Sequence, residues 1–362
     1  MKYILYISCI IIFFFSCNKE TDIKYFNGDI VFYEESNVIE NLKGEKIIFD
    51  DIYTGEMIIH DSLAFFVSSK YPGYLLSIFN INNGHHIGNY LNKGNGPDDF
   101  LAVNIMNHVF QENNCSNIWL YAYNEQKIIE LNVNKVLIGE NLPLDTIFNF
   151  SWSDYHMAPF NYLFRLNKDK VIAKVPLESL FNNGKEFTPP KYKIIDFNTK
   201  KESKEYILYS ETIEKKTENQ PLSMYYLSTD QIRPDLQKIA ISMGLLSQIN
   251  ILDLESGELK CVRKINTPSF SEIIKKDIQD YKIYYKSTST DNNFIYSLYV
   301  NKDFNLKNIP SSNEVHIFDW EGNFIKKIIL DQYIDKIRLD SKRNILYGKS
   351  EKNDNIYRFY LN

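Results

Sequence analysis

The 362-residue sequence holds four cysteines, 14 glycines, 11 prolines and three tryptophans, and each shortage removes a class of protein. So few cysteines cannot staple a disulfide-rich scaffold, and no Cys-x-x-Cys or Cys/His spacing builds a zinc site. The low glycine and proline content excludes collagen-like and low-complexity chains. Basic blocks are missing too. The net charge is −5 and the lysine pairs (Lys200–Lys201, Lys215–Lys216, Lys275–Lys276, Lys326–Lys327) are scattered, which excludes nucleic acid as a partner. No Gly-x-Ser-x-Gly elbow, His-Glu-x-x-His helix or glycine-rich dinucleotide turn occurs. The histidines are dispersed, and the adjacent His85 and His86 would point to opposite faces of a strand. No cofactor, metal or catalytic set is therefore expected.

What is present is ordinary globular bulk with an aromatic bias. Hydrophobic residues make up 44% and charged residues 24%, enough to bury a large core. The 26 Tyr and 24 Phe fit pleated, half-buried strand surfaces and lean toward β structure.

After Lys2, an uncharged apolar run from Tyr3 to Phe15 ends at Ser16-Cys17. A bilayer-crossing helix needs about 20 residues, so this run fits the apolar region of a secretory signal instead. A small residue followed by cysteine resembles a bacterial lipoprotein signal, with Phe14 where an aliphatic residue is usual. That resemblance implies removal of residues 1–16, acylation of Cys17, and the lipid bilayer as a partner through it. It places the protein in a Gram-negative cell envelope, at the outer membrane. The polar stretch Asn18 to Asp22 reads as a flexible tether. Of the remaining cysteines, Cys115 and Cys261 could pair in an oxidising compartment or stay as separate buried thiols.

The mature chain reads as short apolar runs broken by Asn/Asp/Gly turns. Five units share a strand-turn-strand outline: Leu76–Gly88, Ile118–Leu131, Tyr192–Lys200, Ile249–Leu259 and Glu314–Leu330. In the last, Glu321-Gly322-Asn323 supplies the positive φ of a tight turn. A sixth strand, Ile356–Leu361, closes the chain. Between these units lie further strand pairs, Ile58–Val67 and Ile334–Gly348. Six such units predict an all-β fold, a six-bladed β-propeller with blades of about four antiparallel strands. No outer hairpin follows the last strand, so N- and C-terminal strands are expected to share one blade and close the ring. The expected division is signal 1–16, anchor and first strands 17–50, and propeller 51–362. Ser271 to Tyr281 has the stripe of a short surface helix, and Glu211 to Ser223 reads as a loop.

Asn92-Lys93-Gly94-Asn95-Gly96-Pro97-Asp98-Asp99-Phe100 resembles the Gly-x-Gly-Pro-x-Glu-Phe signature of exported six-bladed propellers of the TolB-like/NHL-like type, with Asp99 in place of Glu. The stretch Tyr281–Leu361 is similar to the same proteins. The resemblance implies a fold and an exported location but leaves the ligand undefined. In physical terms, Gly94 and Gly96 would allow unusual backbone angles, Pro97 would stiffen the turn, and Phe100 would bury under the next blade. This motif is expected to connect blades.

Two function classes follow. The first is a membrane-anchored binding or scaffolding module for a glycan, a peptide or an envelope partner protein. Its candidate surface is the aromatic loops holding Trp152, Tyr155 and Tyr162, and Tyr71 and Tyr74. The second is a divalent-metal hydrolase or lyase of the lactonase kind, found among related six-bladed folds. It would use channel carboxylates from among Asp61, Asp154, Asp230, Asp291 and Asp340, although Asp at turns commonly bonds backbone amides. Removing the signal leaves 362 − 16 = 346 residues, about 58 per blade against the roughly 40–50 of compact repeats. The surplus falls near 141–190, 211–235 and 266–292, where function is expected to lie.

Overall fold

Leu63-Ala64-Phe65-Phe66-Val67 is buried at every position, which a strand achieves only with neighbours on both faces of its sheet. Leu63, Phe65 and Val67 pack into one core, and Ala64 and Phe66 into another. The same period-2 division repeats around the molecule and yields six cores, each between two adjacent sheets. The computed structural model describes residues 22–96, 98–112, 115–122, 124–138, 144–149, 162–175, 189–199, 201–210, 222–276, 280–304 and 310–362.

The chain begins with three strands, β1 (Asp29–Tyr33), β2 (Ile39–Leu42) and β3 (Glu45–Ile47). Blade 1 follows with β4 (Glu56–His60), β5 (Leu63–Val67), β6 (Tyr74–Asn80) and β7 (His86–Asn92). Blade 2 holds β8 (Asn104–Glu112), β9 (Cys115–Ala122), β10 (Lys127–Asn132), a short helix α1 (Val133–Leu137) and β11 (Leu144–Asn149). Blade 3 holds β12 (Tyr162–Asn167), β13 (Lys170–Val175), β14 (Lys191–Asp196) and β15 (Lys201–Tyr206). Blade 4 holds β16 (Ser228–Ile232), β17 (Lys238–Met243), β18 (Gln248–Asp253) and β19 (Leu259–Lys264). After helix α2 (Phe270–Ile273), blade 5 holds β20 (Lys282–Thr290), β21 (Phe294–Asp303), β22 (Ser312–Asp319) and β23 (Phe324–Ile334). Blade 6 takes β24 (Lys336–Asp340), β25 (Ile345–Ser350) and β26 (Asn355–Tyr360) from the C-terminus.

The first strand of each blade is innermost. Packing of β4 on β8, β8 on β12, β16 on β20, β20 on β24 and β24 on β4 carries the ring around. β3 pairs antiparallel with β26 as the outer strand of blade 6, so both chain ends share one blade, as the sequence requires. Before that closure, β1 pairs parallel with β19 and β2 parallel with β23, as fifth strands of blades 4 and 5. Residues 29–47 therefore strap the outer edges of three consecutive blades.

Several sequence expectations change. Asp22, read as the end of a flexible tether, is 3% exposed. Its carboxylate pairs with Arg263 and accepts the amides of Phe270 (2.6 Å) and Ser271 (3.0 Å). The helix expected over 271–281 starts earlier: Ser269 is its cap, in a capping box with Glu272, and Phe270 and Ile273 are buried rather than on the surface. The unit Ile118–Leu131 is the second and third strands of blade 2, whereas the other units begin on third strands. Of the predicted loop Glu211–Ser223, residues 211–221 lie outside the described residues and Leu222–Tyr226 form a 3-10 turn. Cys115 and Cys261 do not pair. Cys261 sits in the core between blades 3 and 4, where burial pushes its thiol up to about 12. Among the described residues no helix is long and apolar enough to cross a membrane.

Candidate functional site

The Gly94–Phe100 motif joins β7 of blade 1 to β8 of blade 2. Phe100 is buried in the core between those blades, with Leu76, Ile118 and Leu120. Neither Gly94 nor Gly96 has positive φ, so the expected reason for these glycines does not hold. Instead the Asp99 carboxylate folds over both glycines, close to where a Cβ would stand, and accepts the Gly96 amide at 3.0 Å. Pro97 lies outside the described residues.

Of the aromatic candidates, Tyr71, Tyr74 and Tyr162 lie among the described residues. Tyr71 is buried in the core between blades 6 and 1, stacked on Tyr74 with centroids 4.6 Å apart, and its hydroxyl accepts the Thr54 amide. Tyr162 is on β12, packs toward the core between blades 3 and 4, and donates to the Ser228 carbonyl at 3.0 Å. Cys17, Trp152, Tyr155 and Asp154 lie outside the described residues.

The ring axis encloses a cavity of about 190 Å³ between the innermost strands, lined by Glu56, Tyr162, Asp230, Lys286, Lys336 and Arg338, among others. Its two carboxylates are both engaged. Glu56 pairs with Lys336; Asp230, fully buried, takes Lys174 at 2.8 Å, Ser228 at 2.6 Å and the Tyr192 hydroxyl at 2.5 Å. Burial and the adjacent Asp230 charge push the Tyr192 hydroxyl well above its ordinary range, so it stays protonated and donates. Thr229, Thr288, Ser242 and Ser297 form a hydroxyl chain beside it. The other aspartate candidates serve turns or surface pairs. Asp61 pairs with Lys342, Asp340 with Arg343, and Asp291 accepts the amides of Asn293 and Phe294. The axis is a paired polar core in which cations outnumber carboxylates, a poor setting for a divalent metal.

A larger cleft of about 600 Å³ opens between blades 4 and 5. The crossover after β19 forms one wall. It turns at Asn266, whose φ of +55° is a left-handed conformation that Asn tolerates. The opposite wall comes from β20 and β21, where the register slips between Ile283 and Tyr285. The resulting bulge holds Asn301 at φ +47° and re-aims it into the cleft. Tyr281, Tyr284 and Tyr299 supply aromatic lining, and Glu34 and Glu35 of the strap complete it. The side chains of Glu34, Asn266, Asp280, Lys282 and Asn301, and the Tyr284 hydroxyl, make no hydrogen bond or ion pair with other described residues. Donors and acceptors of both signs thus stand available around tyrosine rings.

Beneath the cleft lies a buried polar cluster. His316 is fully buried on β22, stacked on Tyr299 at 3.9 Å. Its Nε2 lies 2.7 Å from Glu314 and its Nδ1 3.4 Å from the Tyr285 hydroxyl, which is 3.2 Å from that of Tyr33. Burial pushes the imidazole down, and the opposing pull of Glu314 and Glu35 does not reverse it. A neutral ring with N–H on Nε2 fits every contact: it donates to Glu314 and accepts from Tyr285. Burial alone would raise Glu35, but the ammonium groups of Lys264 and Lys327 bonded to it outweigh it and hold the carboxyl below its ordinary range. Burial opposes charge on Lys264 too, and Glu35 and Tyr299 more than offset it, holding the ammonium above its ordinary range. Glu35, Glu314 and His316 have donor atoms within 4.8 Å of one another, close enough to share a cation. Lys264 and Lys327 already bond Glu35, so two ammonium groups balance the two carboxylates and the cluster does not fit a metal centre.

The sequence reading missed this cluster. One signal was available: Glu314 and His316, two residues apart on an apolar strand, share a face. Tyr33, Glu35, Lys264, Tyr285 and Tyr299 come from four other segments and carry no such mark. The cluster also sets a pH response. Below the ordinary histidine value of 6.5 the unfolded chain takes up a proton that folded His316 refuses, so stability falls as pH drops through that value. His60, also lowered by burial, adds to the same window. Melting profiles between about pH 7 and pH 5 are expected to be flatter for His316→Gln than for wild type. Superimposable slopes would contradict the assignment of a neutral, buried imidazole.

Six sheets around a polar axis, locked by strands from both chain ends, define a closed six-bladed β-propeller. The family model described as TolB-like 6-blade propeller-like matches residues 53–342, and the chain belongs to that family. A candidate exported protein from Bacteroides fragilis has a similar structure, with 12% identity and a TM-score of 0.53 over 91% of this chain and 99% of that one. A member of the DUF4221 family from Bacteroides vulgatus is comparable, with 11% identity and a TM-score of 0.52 over 92% and 97%. No curated protein matches the sequence.

Proposed function

We propose that this protein is an exported lipoprotein, anchored in the outer membrane through acylated Cys17, whose propeller is a binding module for a polar ligand: a glycan, a peptide or a segment of an envelope partner. The observation that carries the binding role is the cleft between blades 4 and 5, with carboxamides, carboxylates, an ammonium and a hydroxyl that no other described residue engages, set around tyrosine rings. The ionisation states within it favour binding over proton transfer. Glu35 is held toward the carboxylate and Lys264 toward the ammonium, both away from the neutral range where a general acid or base works. The rival reading, a metal-dependent hydrolase or lyase on the axis, needs free carboxylates there, and Glu56 and Asp230 are each bonded to a lysine. The apolar run ending at Ser16-Cys17 supports export and anchoring, and the description of the Bacteroides fragilis neighbour as a candidate exported protein agrees with export alone.

Screening the mature protein on glycan and peptide arrays is expected to return a saturable ligand. Tyr284→Phe and Asn301→Ala should each weaken it about 5- to 10-fold, the worth of one hydrogen bond. A ligand whose affinity neither variant alters would overturn the assignment to this cleft.

A further inference from the structure

Asp22 follows Cys17 by five residues, and an extended chain advances at most about 3.6 Å per residue. The two Cα atoms therefore lie within about 18 Å of each other, whatever path residues 18–21 take. Asp22 is a fixed point. Its carboxylate pairs with Arg263 of β19 and accepts the Phe270 and Ser271 amides at the start of α2. Ile273 of that helix and Pro268 just before it line the cleft, so the tether ends on the cleft's own wall.

The strap that leaves this point carries apolar side chains outward. β1 is the outermost strand of blade 4, with Val31 opposite Val262 and Phe32 opposite Arg263. Val31 is 44% exposed and Phe32 38%. On the outer edge of blade 5, Val38 and Ile39 are 57% and 51% exposed. Sheet edges facing water are ordinarily blunted with charge; here Asp29 of β1 and Glu40 of β2 are the charged residues of the two edge strands, and the four apolar side chains stand exposed beside them.

The geometry points to the outer rim of blades 4 and 5 as the membrane-facing surface of the propeller: the bilayer that holds Cys17 covers the exposed strap residues, and the cleft is presented at the membrane surface. This rests on the lipid-anchor reading. A tether of five residues cannot let the rim swing far from the bilayer, and blade 1, across the ring from blade 4, is carried outward. Ligand then reaches the cleft along the membrane surface.

The test uses the acylated full-length protein in phosphatidylcholine–phosphatidylglycerol vesicles doped with spin-labelled lipid. Val31→Cys, Val38→Cys and, on the blade 1 to blade 2 connection, Asn95→Cys are each labelled with a fluorophore in a Cys115→Ser background; Cys261 is buried and unreactive. Quenching at positions 31 and 38 is expected to exceed that at 95 severalfold. Equal or stronger quenching at 95, with the acyl group on Cys17 verified by mass of the N-terminal peptide, overturns the orientation and leaves the anchor standing. A peptide without the acyl mass overturns the anchor and the orientation with it.

Discussion

Asp22→Ala is expected to lower the unfolding midpoint by on the order of 10 °C. The substitution leaves the Arg263 guanidinium, 2% exposed, without its carboxylate, with Gln248 and the ring of Phe26 as its remaining partners. Breaking a buried ion pair by removing one partner costs about 3–5 kcal/mol, because the other charge stays buried and uncompensated. The Phe270 and Ser271 amides lose their acceptor as well. At about 2–4 °C per kcal/mol for a large domain, the sum reaches the stated shift. The exposed pair Lys342–Asp61 provides the control, since Lys342→Ala should cost no more than about 1 kcal/mol. A calorimetric scan in which Asp22→Ala melts with wild type would show that the N-terminal segment is not built into the ring.

Deleting residues 355–362 is expected to abolish cooperative unfolding altogether. The deletion removes β26, the strand between β25 and β3 through which blade 6 joins the two ends of the chain. It also strips Ile356, Tyr357 and Phe359, all buried. At about 1.5–3 kcal/mol for each large apolar side chain, their loss alone approaches the roughly 5–15 kcal/mol that stabilises a domain. Two strand ladders disappear in addition. Circular dichroism and tyrosine fluorescence followed through a urea titration should give non-coincident, broad transitions. A truncated chain with the midpoint and slope of the full-length one would contradict closure.

The fold was legible because blades repeat a local pattern. The turn Asp319-Trp320-Glu321-Gly322-Asn323 has the positive φ at Gly322 that its sequence requires, with Asp319 accepting the amides of Glu321 and Asn323. Alternation could not say which hairpin of a blade each unit represents, and so Ile118–Leu131 was placed one strand out of phase. The strap was not legible as such. Its short strands gain their partners from β19, β23 and β26, more than 200 positions along the chain, and pattern within 29–47 carries no trace of that pairing. The same distance hid the site. Glu35 meets His316 across 281 positions, and of the candidate rings, Tyr162 packs toward one core while Tyr71 and Tyr74 pack toward another. Surplus length singled out 141–190, 211–235 and 266–292, and one wall of the proposed cleft runs through the last of these.

The most direct test of the binding-module account is a hydrogen-exchange footprint of the protein with and without the ligand that the arrays return. Protection concentrated in residues 264–276 and 281–303, and lost in Asn301→Ala, is the predicted result. Protection confined to the axial strands at Thr229–Ile232 and Lys286–Thr288, with the cleft unchanged, would contradict it and return the function to the channel.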